Sequence, residues 1–174
     1  RGTNHMIETV MPAGASAPLQ SGQVTVVTTG RSRLEIPAGG FSGAGPVRFN
    51  AVSAEAPGYT RLFPGTFVAE LPTGARPLTS PAFCVVGPIE HGALQGTVTL
   101  DFPNLARSQL DRQRIPVVTS GRFGRWVEAG MATRTGPTRF SFPVDASGAY
   151  ALATGYLMPT TTLEVHLLRA AADP

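Results

Sequence analysis

The chain of 174 residues is 42% hydrophobic and only 14% charged, and it contains 20 Gly and 16 Pro. Charged residues are scarce against the roughly 25% of an average soluble domain, and Gly and Pro fill about a fifth of the chain, which excludes a helix bundle because both are poor helix residues. The hydrophobic fraction and a formal net charge of only +3 exclude a disordered chain, since apolar burial can offset the entropy of ordering. All 14 basic residues are Arg, so the high isoelectric point reflects guanidinium groups that hold their protons rather than a strongly basic surface.

Residues 1–6, RGTNHM, are expected to be an expression-tag remnant and are excluded from fold reasoning. Residues 7–22, with Pro12, Gly14, Pro18 and Gly22 among Ala and Ser, are expected to form a flexible lead-in. No apolar run of signal-peptide length follows the tag and none of membrane-spanning length occurs, so the expectation is an extracellular, cell-surface or periplasmic protein with a trimmed leader, a cytoplasmic location being the alternative.

Residues 23–168 are expected to form one β-sandwich domain, followed by a tail at 169–174. Short runs rich in Val, Thr, Phe, Leu and Ile recur between Gly, Pro, Asn and Ser, the pattern of strands joined by turns. Eleven strands are predicted: Gln23–Thr29, Ser32–Ile36, Pro46–Ser53, Thr66–Leu71, Ala82–Val86, Leu94–Phe102, Arg114–Thr119, Arg125–Ala129, Thr138–Val144, Gly148–Thr154 and Thr161–Leu168. In GTVTLDF, Val98, Leu100 and Phe102 alternate with Thr97, Thr99 and Asp101; TTLEVHLL and RFSFPV alternate likewise. Half-buried short strands without long intervening helices predict an all-β antiparallel sandwich of ten to eleven strands. Only PNLARSQLDRQRIP has helical potential, with Asn104 as a cap and Pro116 as a stop, and it is read as one turn or a loop.

In order, LEIPAGGF with its proline-glycine turn (Leu34 to Phe41), LPTGARPLTSPAFCVV, Trp126 in GRWVEAG, RFSFPV and GAYAL resemble the β-sandwich domain of ankyrins, netrin receptors and tight-junction scaffolds and its bacterial relatives in surface and secreted proteins. The resemblance spans about residues 23 to 156 and rests on short motifs of common turn chemistry. Some members of that group cleave their own backbone at His-Phe-Ser. This chain has Arg139-Phe140-Ser141 there, and a guanidinium cannot accept the hydroxyl proton, so self-cleavage is not expected.

The chain has no phosphate-binding Gly loop, Gly-x-Ser-x-Gly elbow or paired-Cys motif, so the expectation is a non-catalytic chain without cofactor or metal. Cys84 in PAFCVVG is read as a buried small side chain, Glu90-His91-Gly92 as a polar turn, and His166, Asp101 and Glu128 as solvent-facing strand positions. Trp126 is read as core, the alternative being a sugar-stacking ring with Tyr59, Tyr150 or Tyr156. Charge is uneven: residues 1–106 balance six Arg against six acids, while residues 107–139 set seven Arg against Asp111 and Glu128. Arg107, Arg112, Arg114, Arg122, Arg125, Arg134 and Arg139, with Trp126 interleaved, are the candidate interaction residues, for guanidinium groups pair with carboxylate or phosphate in two-pronged geometry. The expected role is a structural or protein-interaction module of a bacterial cell-surface or envelope assembly, docking or self-associating through sheet edges. The alternatives are a carbohydrate- or polyanion-binding module, with an acidic polysaccharide favoured over nucleic acid as partner, and a hydrolase assembled from scattered residues.

Overall fold

A computed structural model describes residues 14–19, 22–42, 45–87, 94–107, 113–120 and 124–156. Its strands are β1 (Ala15–Leu19), β2 (Thr25–Thr29), β3 (Ser32–Ile36), β4 (Gly45–Ser53), β5 (Val68–Leu71), β6 (Gly74–Thr79), β7 (Ala82–Val86), β8 (Gly96–Asp101), β9 (Arg114–Ser120), β10 (Trp126–Gly136), β11 (Arg139–Val144), β12 (Gly148–Leu152) and β13 (Gly155–Tyr156). Two single-turn helices, α1 (Tyr59–Leu62) and α2 (Asn104–Arg107), complete the described elements. The predicted strand Thr161–Leu168, the tag remnant, the tail, Glu90, His91 and His166 lie outside the described residues.

The all-β class holds, but the architecture is a nearly closed barrel rather than a sandwich. Its main path runs β1-β4-β7-β12-β9-β10-β11-β8-β3-β2. The two ends of that path approach each other, and Thr29 Oγ1 on β2 donates to the carbonyl of Phe49 on β4 at 2.9 Å. Strand alternation is the same in both architectures; what separates them is whether the outermost strands curl round to meet, which depends on pairings remote in sequence.

The barrel interior is filled by inward residues of every wall, among them Leu34, Phe49, Cys84, Val98, Leu100, Ile115, Phe140 and Leu152, all at most 1% exposed. A second cluster lies outside the wall. Phe83, Val118, Ala149 and Ala151 point outward from β7, β9 and β12 and are roofed by Tyr59, Leu62 and Phe63 of the α1 region with Ala69 and Leu78 of the β5–β6 hairpin. Trp126 belongs to this outer cluster because β10 carries a bulge between Glu128 and Gly130. The extra residue shifts the alternation, so Ala132 faces inward while Trp126, also even-numbered, faces outward beneath the hairpin.

Three strands lie outside the sequence reading: β13 is only two residues long, and in the other two Pro explains why. The lead-in holds β1, whose Leu19 is buried and whose Pro18 faces Pro46 on an edge strand, where a missing N–H costs least. β6 carries Pro77 opposite Val68 and closes a hairpin through Pro72-Thr73. Elsewhere Ser32–Ile36 and Ala82–Val86 coincide with the predicted strands, and β10 runs seven residues beyond Ala129. The LEIPAGGF turn closes by a 2.8 Å bond from Gly40 N–H to the Pro37 carbonyl, with Gly39 at φ +78. A Cβ on Gly40 would lie 2.5 Å from the Gln95 carbonyl oxygen, which reserves that position for Gly. Asn104, expected as a helix cap, instead accepts from Ser53 Oγ at 3.0 Å and donates to the Pro81 carbonyl at 2.9 Å, tying α2 to the β6–β7 turn.

Candidate functional site

Three strand ends meet at one rim of the barrel: the β2–β3 turn, the end of β8 and the turn entering β11. Gly30, at φ +59, lets β2 and β3 join through a two-residue turn, since Thr29 pairs with Ser32, and this holds Arg31 at the apex. Asp101 ends β8 opposite Arg139, the first residue of β11. Arg31 donates a terminal N–H to Asp101 Oδ1 at 2.7 Å, Thr138 donates its hydroxyl to the same oxygen at 2.6 Å, and Arg139 donates Nε–H to Oδ2 at 2.8 Å. The Asp101 backbone N–H donates to Ser32 Oγ at 3.0 Å.

Asp101 therefore corrects the sequence reading. It occupies the outward face, as alternation requires, yet it is only 2% exposed because two guanidinium groups and a hydroxyl lie over it. Burial alone would raise its pKa, but the hydrogen bonds from Thr138, Arg139 and Arg31, with the Arg31 charge, outweigh burial and hold the carboxyl below its usual range. The two arginine side chains remain 58% exposed. Asp101 thus orients two guanidinium groups while neutralising one charge.

Beside this trio a depression of about 380 Å³ is lined by Arg31, Arg33, Thr99, Thr135, Arg139 and Ser141. Strand register assembles it: Arg33 pairs with Thr99, and Thr99 with Ser141. The Thr99 and Ser141 hydroxyls lie 2.9 Å apart, and the Thr135 and Ser141 hydroxyls 3.2 Å apart. Arg33 is half exposed and pairs at 3.4 Å with Glu35, which is somewhat less exposed. Three arginines thus face two carboxylates, and among the described residues the terminal nitrogens of Arg139 have no acceptor. Guanidinium forks and hydroxyls around a local positive excess are suited to binding a carboxylate, sulfate or phosphate oxygen.

The described arginines of the block 107–139 do not gather in one patch. Arg139 contributes to the depression, and Arg114 is exposed on β9. Arg125 pairs with Glu70 of β5. Arg134 turns toward the barrel end, its guanidinium 5.9 Å from the Phe140 ring centroid and bonded to the carbonyls of Gly136 and Pro137. Arg112, Arg122 and the Arg107 side chain lie outside the described residues. Arg31 and Arg33, which complete the site, were missed because the acids of residues 1–106 balance the arginines there and leave that segment no net excess of charge. The signal that could have found Arg33 is the alternation of SRLEI, which puts it on the outward face.

The aromatic sugar platform is overturned. Trp126 is fully buried against Phe63, with its Nε1–H lacking an acceptor among the described residues, Tyr59 and Tyr150 are buried as well, and the Tyr156 side chain lies outside the described residues. Desolvation pushes the Tyr59 hydroxyl up to about 12, and the hydroxyl donates to the Ser80 carbonyl at 3.0 Å. Cys84 is fully buried between β4 and β12, and the same effect raises its thiol well above the ordinary range. Among the described residues no group of three His, Cys, Asp or Glu side chains could hold a metal, and no helix is long and apolar enough to cross a membrane. Compared with known proteins, the chain matches no family model, no curated protein and no solved structure.

Proposed function

We propose that the chain is a non-catalytic binding module that recognises an anionic group, of the kind an acidic polysaccharide carries, at the Arg31–Arg33–Arg139 depression. The observation that supports this reading is the convergence of three guanidinium groups, two from the β2–β3 hairpin and one from β11, beside a buried Asp101 that fixes two of them. A single carboxylate engages few of these donors and is expected to bind weakly, with Kd of about 1 mM, and a polymer that reaches several of them more tightly. Ser141 fits a binding role, since its hydroxyl is held by Thr99 and Thr135 and Arg139, two residues before it, is no base. A bacterial cell-surface or envelope setting is the part of the proposal carried by the resemblance of LEIPAGGF and the later motifs.

The test is migration through native gels cast with polygalacturonate or with an uncharged glucan. Retardation by the acidic polymer alone, weakening as salt rises, is expected. Equal migration in both gels would remove the proposal.

A second reading, a structural or protein-interaction module docked by a sheet edge, is favoured by β2. Among the described strands β2 forms a backbone ladder with β3 alone, its bond to β4 coming from the Thr29 side chain, and Val24 just before it and Val26 on it are 60% and 48% exposed. Strand addition there would bury both side chains. Concentration-independent sedimentation together with no captured partner strand would count against it.

A further inference from the structure

Strand pairing extends the chemistry of the depression beyond its rim. The register joins Arg33 on β3 to Thr99 on β8, Thr99 to Ser141 on β11, Ser141 to Thr133 on β10, and Thr133 to Arg114 on β9. Directly paired residues share a face, so these five side chains form one outward row across five strands. Every member is exposed or half-buried, and the interior of the row carries only hydroxyls. With neighbouring strands about 4.8 Å apart, the two end arginines stand about 19 Å from each other along the surface. Among the described residues Arg114 has no hydrogen-bond or ion-pair partner, so its guanidinium is available to a ligand.

Resting on the anion-binding reading above, we propose that the ligand is a linear acidic polysaccharide lying across the strands along this row, with Arg114 as a remote subsite. Spaced charges at both ends and hydroxyls between match a polymer that alternates acidic groups with sugar hydroxyls. The row also follows the outward curve of the barrel, which a chain jointed at every glycosidic bond can follow and a stiff duplex cannot. Single-stranded nucleic acid would call for exposed rings on which bases stack, and the aromatic side chains nearest the row, Phe140 and Phe142, are buried.

The experiment is calorimetric titration of the intact protein with galacturonate oligomers from the dimer to the octamer, for the wild type, Arg114→Gln and Arg33→Gln. Octamer is expected to bind about tenfold tighter than dimer, Arg114→Gln to lose that gain while keeping dimer affinity, and Arg33→Gln to weaken both. Thermal midpoints of both variants should match the wild type, since both side chains are surface groups. Dimer and octamer bound alike, with Arg33→Gln still harmful, would overturn the track but leave the anion site. No binding at any length would overturn both readings. Tighter binding of a single-stranded oligonucleotide of equal charge than of the octamer would overturn the choice of polymer.

Discussion

Replacing Asp101 with Asn keeps the shape of the side chain and removes its charge, so it isolates what the carboxylate does. Three donors converge on its two oxygens, and a hydrogen bond to a charged group contributes about 1.5–3 kcal/mol. Arg31 and Arg139 are more than half exposed and regain water when the charge is lost, so their shares are discounted heavily. What remains is mainly the Thr138 bond and the loss of the buried anion, together about 2 kcal/mol. For a chain of this size that lowers Tm by about 4–8 °C at neutral pH. The pH dependence has a definite sign. A carboxyl with a depressed folded pKa stabilises above its unfolded value of about 3.9, and that contribution is lost as pH falls through the folded value. Thermal melts followed by tryptophan fluorescence should therefore show the wild type and Asp101→Asn far apart at neutral pH and converging in acid. An equal gap at both extremes, or none at neutral pH, would refute the reasoning.

Three further outcomes follow from the same structure. Deleting Ala129 removes the β10 bulge and turns Trp126 toward the barrel interior, so the deletion should lose at least about 3 kcal/mol of stability, seen as a lowered urea midpoint or failure to fold. Gly40→Ala forces a Cβ to 2.5 Å from the Gln95 carbonyl oxygen and should cost about 2 kcal/mol in the same denaturation assay. The Cys84 thiol, buried and with a raised pKa, should react with a disulfide reagent only at the rate of unfolding; rapid labelling of folded protein would contradict its placement.

Local pattern carried the wall of this protein but not its closure. Ser32–Ile36 and Ala82–Val86 were legible to the residue because branched and aromatic side chains alternate or cluster between clear turn residues. β1 and β6 were hidden by Pro18 and Pro77, which argue against strands unless the strand lies at an edge or in a short hairpin. Trp126 was legible as core, but its position outside the barrel depends on one inserted residue at the β10 bulge, whose effect appears only once β9 is paired opposite. At the site, alternation placed Asp101 outward and could not show its burial, because Arg31 lies 70 residues away and Arg139 lies 38 away. A net basic stretch in the sequence marks a local excess of charge, whereas this depression joins two arginines of the β2–β3 hairpin to one of β11 that only the sheet brings alongside.

The most direct test of anion recognition maps backbone amide shifts while an acidic oligosaccharide is titrated into the labelled protein. Shifts concentrated at Arg31 to Arg33, Thr99, Thr135 and Arg139 to Ser141 are the predicted result. Shifts confined to the surroundings of Arg125 and Arg134, or no shifts at all, would contradict the account.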